Sequence, residues 1–331
     1  MFDKVTVLGG GSWGTAIAIS LSSKGINTGL WDIDKDHVES MIKTRENQKF
    51  LAGTKFPESL TVYRDEAEAV KGAEVVIFAV PAQFFRSAAE AAAPLLEKGM
   101  TIVNVAKGIE QKSLLRLSQI AAELIPGYPY VVISGPSHAE EVCKGMPTTL
   151  VSASTDSEAA KRIQDLFMSP VLRVYTNDDV CGVELGGALK NIIALGAGIS
   201  DGLGYGDNAK AAMMTRGLAE IERLGIAMGA KQSTFAGLSG IGDLIVTCTS
   251  MHSRNRRCGI MIGEGTDPET AIKNVGMVVE GVFTCSAAWE MAKNYGIEMP
   301  IVNGIYSIIN LGQNPGEVVN SLMTRDRKSE R

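Results

Sequence analysis

The apolar run Val5–Leu8 leads straight into Gly9-Gly10-Gly11-Ser12-Trp13-Gly14, and a helical pattern follows as far as Lys24, with Gly25 placed to end it. This is G-x-G-x-x-G set between a strand and a helix, a context far more demanding than the glycines alone. Gly9 permits the tight turn, Gly11 lets backbone approach a pyrophosphate, and Gly14 allows the helix to pack closely on the strand. The first helical turn then offers unpaired N–H groups and partial positive charge to phosphate. The segment reads as a dinucleotide-binding turn; a turn with only a structural role is the alternative.

Further along, short β-branched runs alternate with amphipathic or alanine-rich stretches. The runs are Val5–Leu8, Thr28–Asp32, Thr61–Tyr63, Val75–Val80, Thr101–Ala106, Tyr130–Ser134 and Leu172–Tyr175. Helical stretches fall at Thr15–Lys24, Lys35–Thr44, Phe84–Glu97, Ser113–Leu124 and Ser157–Phe167. Near-continuously apolar strands separated by helices imply a parallel sheet covered on both faces. Past Cys181 helical runs dominate, from Val183–Ile199 and Asn208–Met228 through Pro315–Met323. The expected fold is therefore α/β: a Rossmann-like, doubly wound sheet domain over residues 1–180, then an all-helical substrate-binding domain over 181–331. The charged tail Arg325–Arg331 is expected to fray.

Strand two ends at Asp32-Ile33-Asp34-Lys35, where such folds read the adenosine ribose. An acid there favours a free 2′-hydroxyl, so Asp32 and Asp34 lean to NAD, while Lys35 keeps NADP open.

The net charge of −5 argues against a broad basic face for nucleic acid or anionic lipid, though not against one local basic cluster. Five scattered cysteines and three histidines without metal-ligand spacing predict reduced thiols and no protein-held catalytic metal. The first apolar run stops at Leu8, too short for a secretory core, and no stretch reads as the roughly 20 apolar residues of a membrane span. A cytoplasmic location without membrane insertion is expected. The 36 glycines either loosen the fold or clear backbone where something comes close.

Several segments could carry chemistry. Lys107 stands just past the strand Thr101–Ala106, at the sheet edge where open α/β folds bind ligands. The loop Gly135-Pro136-Ser137-His138-Ala139 follows the next strand at that same edge. On the helix carrying Gly186-Gly187-Ala188-Leu189-Lys190-Asn191, the neighbours of Lys190 three and four residues away are Gly187, Gly186, Ile193 and Ala194, with no acid among them. Such a lysine either snorkels outward or is desolvated, with the lowered pKa a general base requires. Asp243 is a lone acid among glycines and apolar residues, able to orient a lysine or accept a substrate hydroxyl. Ser253-Arg254-Asn255-Arg256-Arg257 supplies the local basic cluster, with planar guanidinium forks suited to phosphate; Arg256 and Arg257 also read as solvated charges.

Together these segments resemble the NAD(P)-dependent glycerol-3-phosphate dehydrogenases, particularly the bacterial type. The match runs in order through GGGSWGTA at 9–16, VPAQFFR at 80–86, NVAKGIE at 104–110, SGPSHAEEV at 134–142, GVELGGALKN at 182–191, GLSGIGDLIVTCTS at 237–250, HSRNRR at 252–257 and GMVVEG at 276–281. The resemblance implies interconversion of sn-glycerol 3-phosphate and dihydroxyacetone phosphate, supplying glycerophospholipid synthesis, by a homodimer. It implies Lys190 as proton acceptor and substrate contacts from Lys107, Gly135, Ser137, Asp243, Ser253, Arg254 and Asn255. Cofactor contacts would come from Gly9, Gly11, Ser12, Trp13, Gly14, Lys107, Ala139, Arg254, Val278 and Glu280. Bacterial members often carry Arg or His near the position of Ile33, where this chain has an Ile between acids. A related dehydrogenase of β-hydroxy acids and a non-enzymatic nucleotide sensor are the competing readings.

Overall fold

The chain was studied as a computed structural model that describes residues 2–327 and Ser329. Of the tail expected to fray, Lys328, Glu330 and Arg331 lie outside the described residues.

Eight strands form one sheet: β1 Val5–Leu8, β2 Thr28–Trp31, β3 Leu60–Val62, β4 Val75–Phe78, β5 Thr101–Asn104, β6 Tyr130–Ser134, β7 Thr148–Ala153 and β8 Leu172–Asn177. Their order is β3-β2-β1-β4-β5-β6-β7-β8. The pairs from β3 through to β6 are parallel, as the apolar strands imply, and β1, β4 and β5 are buried along their whole length. The sheet is not parallel throughout, however: β7 runs antiparallel to β6, and β8 runs parallel to β7. β7 reads Thr-Thr-Leu-Val-Ser-Ala, half polar, and so lacks the continuous apolar run that marks the other central strands. The order reverses between β1 and β4, which opens a crevice beyond their carboxyl ends, the place where open α/β sheets bind ligands.

After β8 all regular structure is helical. The helix Val180–Gly202 runs through the centre, and its residues from Gly182 to Ser200 are all buried. Asp179 caps it, accepting from the Gly182 N–H at 2.8 Å. By length and a mean hydropathy of 1.3 this helix does match a membrane span, contrary to the sequence expectation, but 89% of it is buried inside the protein. A core helix wrapped by other helices needs no polar face, so the two cannot be told apart by composition. Helices Asp207–Ala227, Asp243–Thr249, Arg254–Gly263 and Glu280–Tyr295 pack around it.

Its glycines allow one very close crossing. A Cβ on Gly198 would overlap the Arg256 carbonyl, and a Cβ on Gly259 would overlap the Leu195 carbonyl. Many glycines outside the dinucleotide turn thus serve backbone-to-backbone packing between helices. Gly198→Ala is expected to cost about 3 kcal/mol, the upper end of overpacking, and to lower Tm by on the order of 5–10 °C in a thermal melt. An unchanged Tm would contradict the crossing.

Glu184 ties this helix to the sheet. Its buried carboxylate accepts hydrogen bonds from Arg116 Nη1 at 2.7 Å, Ser118 N at 2.8 Å, Ser118 Oγ at 2.6 Å and Tyr130 OH at 3.1 Å. With that many donors a buried charge is well compensated, and the helix bearing Lys190 is held against the end of β6.

Candidate active site

The glycine turn has the geometry its spacing implies. Gly9 sits at φ +115°, and a Cβ there would lie 2.6 Å from the Ala79 carbonyl oxygen of the neighbouring strand exit. A Cβ on Gly14 would overlap the Gly9 carbonyl, so this glycine lets helix and strand touch. Gly11 faces open space, with nothing within 4 Å of its Cβ position. It is also the N-cap of Ser12–Ser23 and offers no capping side chain, which leaves the first-turn N–H groups available to an anion.

Both oxygens of Asp32 accept from backbone, Oδ2 from Gly10 N at 2.6 Å and Oδ1 from Asp34 N at 2.9 Å. Asp34 caps the next helix through His37 N at 3.1 Å and pairs with Lys49 at 2.9 Å. Ile33 between them is 83% exposed.

Several side-chain atoms buried in the protein lack partners. Trp13 Nε1, Ser134 Oγ, His138 Nε2, Glu280 Oε2 and Thr284 Oγ1 are buried and have no hydrogen-bond partner within the protein. Unsatisfied buried polar atoms are costly, and their concentration here fits an occupant with amide, hydroxyl and phosphate groups. Glu280 reaches across from the helical half to accept from Ala82 N at 3.1 Å, beside Gly108. Burial raises its pKa to about 7, against the Ala82 N–H and Arg254, which lower it. Val278, two residues earlier, is half-buried.

Two lysines and one acid form the chemical centre. Lys190 Nζ donates to Asp243 Oδ1 at 2.5 Å and to Thr247 Oγ1 at 2.6 Å. Lys107 Nζ donates to the other oxygen, Asp243 Oδ2, at 2.7 Å and to the Gly135 carbonyl at 2.9 Å. The acid missing from the helix neighbours of Lys190 is thus supplied from another element, at the start of Asp243–Thr249. Lys190 is only 5% exposed. Burial lowers its pKa to about 8, Asp243 pulls it up and Lys107 pushes it down. Burial pushes the Asp243 carboxyl up, but the two lysines outweigh it and hold the group below its ordinary value. Thr247 donates its hydroxyl proton to the Asp243 carbonyl, which turns its oxygen toward Lys190 as an acceptor. A neutral Lys190 therefore has both its N–H bonds committed and its lone pair directed elsewhere.

The loop after β6 closes one side. Gly135 is at φ +123°, with its Cβ position 3.0 Å from the Thr149 carbonyl oxygen. Ser137 donates to the Gly135 carbonyl at 3.0 Å, and buried Ala139 starts the short helix Ala139–Val142.

The basic cluster divides by role. Ser253 Oγ caps Arg254–Gly263, accepting from Arg256 N at 3.2 Å and keeping its own proton to donate. No described residue accepts a hydrogen bond from Arg254; burial lowers its pKa, and Glu280 and Glu140 counter this. Asn255, by contrast, ties helices together, donating to Asn191 Oδ1 at 3.0 Å and accepting from Gly281 N at 2.8 Å, so one amide hydrogen is left for a ligand. Arg256 is not a solvated charge: it pairs with Asp201 at 2.8 Å and donates to the Thr249 carbonyl.

Thr247, Ser134, Thr284 and His138 were not singled out as site residues from sequence: Thr247 acquires meaning only from Lys190, 57 positions away, and the other three only from buried polar atoms left without a partner. Among the described residues no three His, Cys, Asp or Glu side chains gather in a way that could hold a metal ion.

Known proteins resemble this chain over nearly its whole length. The chain matches the families described as NAD-dependent glycerol-3-phosphate dehydrogenase N-terminus over residues 4–160 and C-terminus over residues 179–320. A protein of Thermoanaerobacter named glycerol-3-phosphate dehydrogenase [NAD(P)+] is 54% identical over 327 residues, covering 99% of this chain and 98% of its own. One of the same name from Clostridium perfringens is 52% identical over 328 residues, 99% of each chain. The crystal structure of glycerol-3-phosphate dehydrogenase from Coxiella burnetii superposes with a TM-score of 0.95 at 38% identity, covering 98% of this chain and 99% of the other.

Proposed function

The chain belongs to the NAD-dependent glycerol-3-phosphate dehydrogenase family, and we propose that it performs the family's reaction with Lys190 as the proton acceptor. It interconverts sn-glycerol 3-phosphate and dihydroxyacetone phosphate with NAD or NADP, in support of glycerophospholipid synthesis. The β-hydroxy-acid and sensor readings are set aside. The observation that carries the catalytic reading is the buried Lys107–Asp243–Lys190 chain at the carboxyl edge of the sheet.

The bound dinucleotide would supply the hydride acceptor; Gly9, Gly11, Ser12, Trp13 and Gly14 would hold its phosphates, and Lys107, Ala139, Arg254, Val278 and Glu280 its other end. The protein's part is proton transfer and orientation. Neutral Lys190, with its N–H bonds held by Asp243 and Thr247, takes the C2 hydroxyl proton on its lone pair and returns it in the reverse direction. Lys107 holds Asp243 in place and polarises the C2 oxygen. Ser253, Arg254 and the remaining hydrogen of Asn255 receive the phosphate, with Gly135 and Ser137 bounding the carbon chain; binding energy at the phosphate then fixes the reacting carbon. We place the division between dinucleotide domain and catalytic domain near residue 180, and read the enzyme as a cytoplasmic homodimer without membrane insertion. The homodimer is a family-level expectation, and sedimentation of the purified protein tests it.

NAD is the favoured cofactor. Asp32 and Asp34 put two carboxylates where a 2′-phosphate would lie, and Lys49, the cation paired there, is already taken by Asp34. Initial rates should show kcat/KM higher with NAD than with NADP. Ile33→Arg, at an exposed position, is expected to raise kcat/KM with NADP about ten-fold by adding a guanidinium partner for the phosphate. An NADP preference in the unaltered enzyme would remove this role from the two acids.

A further inference from the structure

Gly10, the middle glycine of the turn, is held by both of its backbone groups. Its N–H donates to Asp32 Oδ2 at 2.6 Å. Its carbonyl oxygen accepts from Asn47 Nδ2 at 2.8 Å and from His37 Nε2 at 3.1 Å. A carbonyl can only accept, so His37 carries a proton on Nε2. Those two donors take both lone pairs of the oxygen, and Thr15 Oγ1 adds a longer contact at 3.4 Å. Asn47 and Thr15 are fully buried and His37 nearly so, which places the Gly10 oxygen on the inner side of the turn.

The two donors are themselves fixed. Asn47 Oδ1 accepts from Phe50 N at 3.0 Å, and its Nδ2 also donates to Thr15 Oγ1 at 2.7 Å. The His37 ring stands edge-on to Phe50, with centroids 5.2 Å apart and planes at 79°. Across a trans peptide the C=O of one residue and the N–H of the next point in opposite directions. With the Gly10 oxygen fixed inward, the Gly11 N–H is turned outward. Among the described residues none accepts from it, and nothing lies within 4 Å of the Gly11 Cβ position. Three successive glycines offer little resistance to rotation of that peptide, so the turn's own sequence does not set its direction. Rotated the other way, it would present a carbonyl oxygen to the phosphates.

We propose that Asn47, supported by His37, is a positioning residue for the dinucleotide: it pins the Gly10 carbonyl inward and so aims the Gly11 N–H at the pyrophosphate. Neither side chain touches the cofactor. His37 comes from the helix Lys35–Thr44 and Asn47 from the segment just after it, so the stretch between β2 and β3 sets the phosphate end of the site as well as the ribose end. The inference rests on the reading of the glycine turn as the pyrophosphate site.

The test titrates tryptophan fluorescence with NADH and, separately, with NADPH, and uses Tm as the check on folding. Asn47→Asp keeps the size of the side chain and the acceptor for Phe50 N but removes the donor. It should weaken both dinucleotides by the same factor, about ten-fold, the scale of one lost hydrogen bond to a charged group. The factors should be equal because the pyrophosphate is common to both, whereas a role at the ribose would change their ratio. In turnover, KM for the dinucleotide should rise while kcat stays within about two-fold of wild type. His37→Leu should weaken binding in the same way without adding charge, and His37→Gln, whose amide nitrogen can take the place of Nε2, should restore it. Gly11→Val places its side chain in space that is open in the free protein, so Tm should hold while NADH binding is lost. Wild-type binding in Gly11→Val would overturn the reading of the glycine turn itself. Wild-type binding in Asn47→Asp, where Gly11→Val has lost it, would overturn the positioning role alone. Unequal factors for NADH and NADPH, a loss confined to kcat, or a His37→Gln no better than His37→Leu would overturn that role too.

Discussion

Lys190→Met is expected to lower kcat for oxidation of sn-glycerol 3-phosphate by a factor on the order of 10²–10⁴, the range for a positioned general base. The dinucleotide Kd should be unchanged, because Lys190 is not among the residues that would hold the dinucleotide and Asp243 still binds Lys107, which is one of them. Methionine nearly preserves the volume of the lysine stem, so no large cavity opens along the central helix. Asp243 keeps its pair with Lys107 at 2.7 Å, so the substitution leaves no buried carboxylate without a counter-charge. The loss is thus confined to proton transfer, and it should appear equally in kcat and kcat/KM. Turnover within a factor of about two of wild type would remove Lys190 from the reaction.

The second large effect concerns the phosphate. Arg254→Gln is expected to raise KM for sn-glycerol 3-phosphate and lower kcat/KM on the order of 10²-fold, corresponding to roughly 2–4 kcal/mol for a guanidinium–phosphate contact. Arg254 is the informative member of the cluster because no described residue accepts a hydrogen bond from it. Removing it breaks no hydrogen bond within the protein, and Glu280, which loses a neighbouring positive charge, can take up a proton instead, so Tm should hardly move. Arg256, paired with Asp201, would behave in the opposite way, losing stability rather than affinity. An unchanged KM in Arg254→Gln would take Arg254 out of the phosphate site.

The parts of this site that could be read from sequence are those written in local spacing. The glycine turn is one: six consecutive residues specify its turn, its open face and its helix–strand contact, and Gly9, Gly11 and Gly14 adopt those three environments. Lys190 was half legible. Its small and apolar helical neighbours left outward snorkelling and desolvation both open, and the acid that orients it lies 53 positions further along, a pairing no local pattern carries. Arg256 failed as a reading for the same reason, since Asp201 is 55 positions away. Helices Asp243–Thr249 and Arg254–Gly263 were missed because both are short and follow glycine-rich or polar breaks, and tertiary packing on the central helix stabilises them rather than intrinsic periodicity. β7 escaped because three of its six residues, Thr148, Thr149 and Ser152, are polar and break up the apolar run that marks the other strands.

The pH dependence of turnover tests the role of Lys190 most directly. Lys190 accepts a proton only when neutral, and the protein holds its pKa at about 8. In the oxidation of sn-glycerol 3-phosphate by the wild-type enzyme, kcat/KM should therefore rise with pH and level off above about 8, and reduction of dihydroxyacetone phosphate should fall over the same interval. Lys190→Met should lose that limb in both directions. A wild-type profile that is flat between about pH 6.5 and 9.5, or a limb that survives in Lys190→Met, would contradict the assignment.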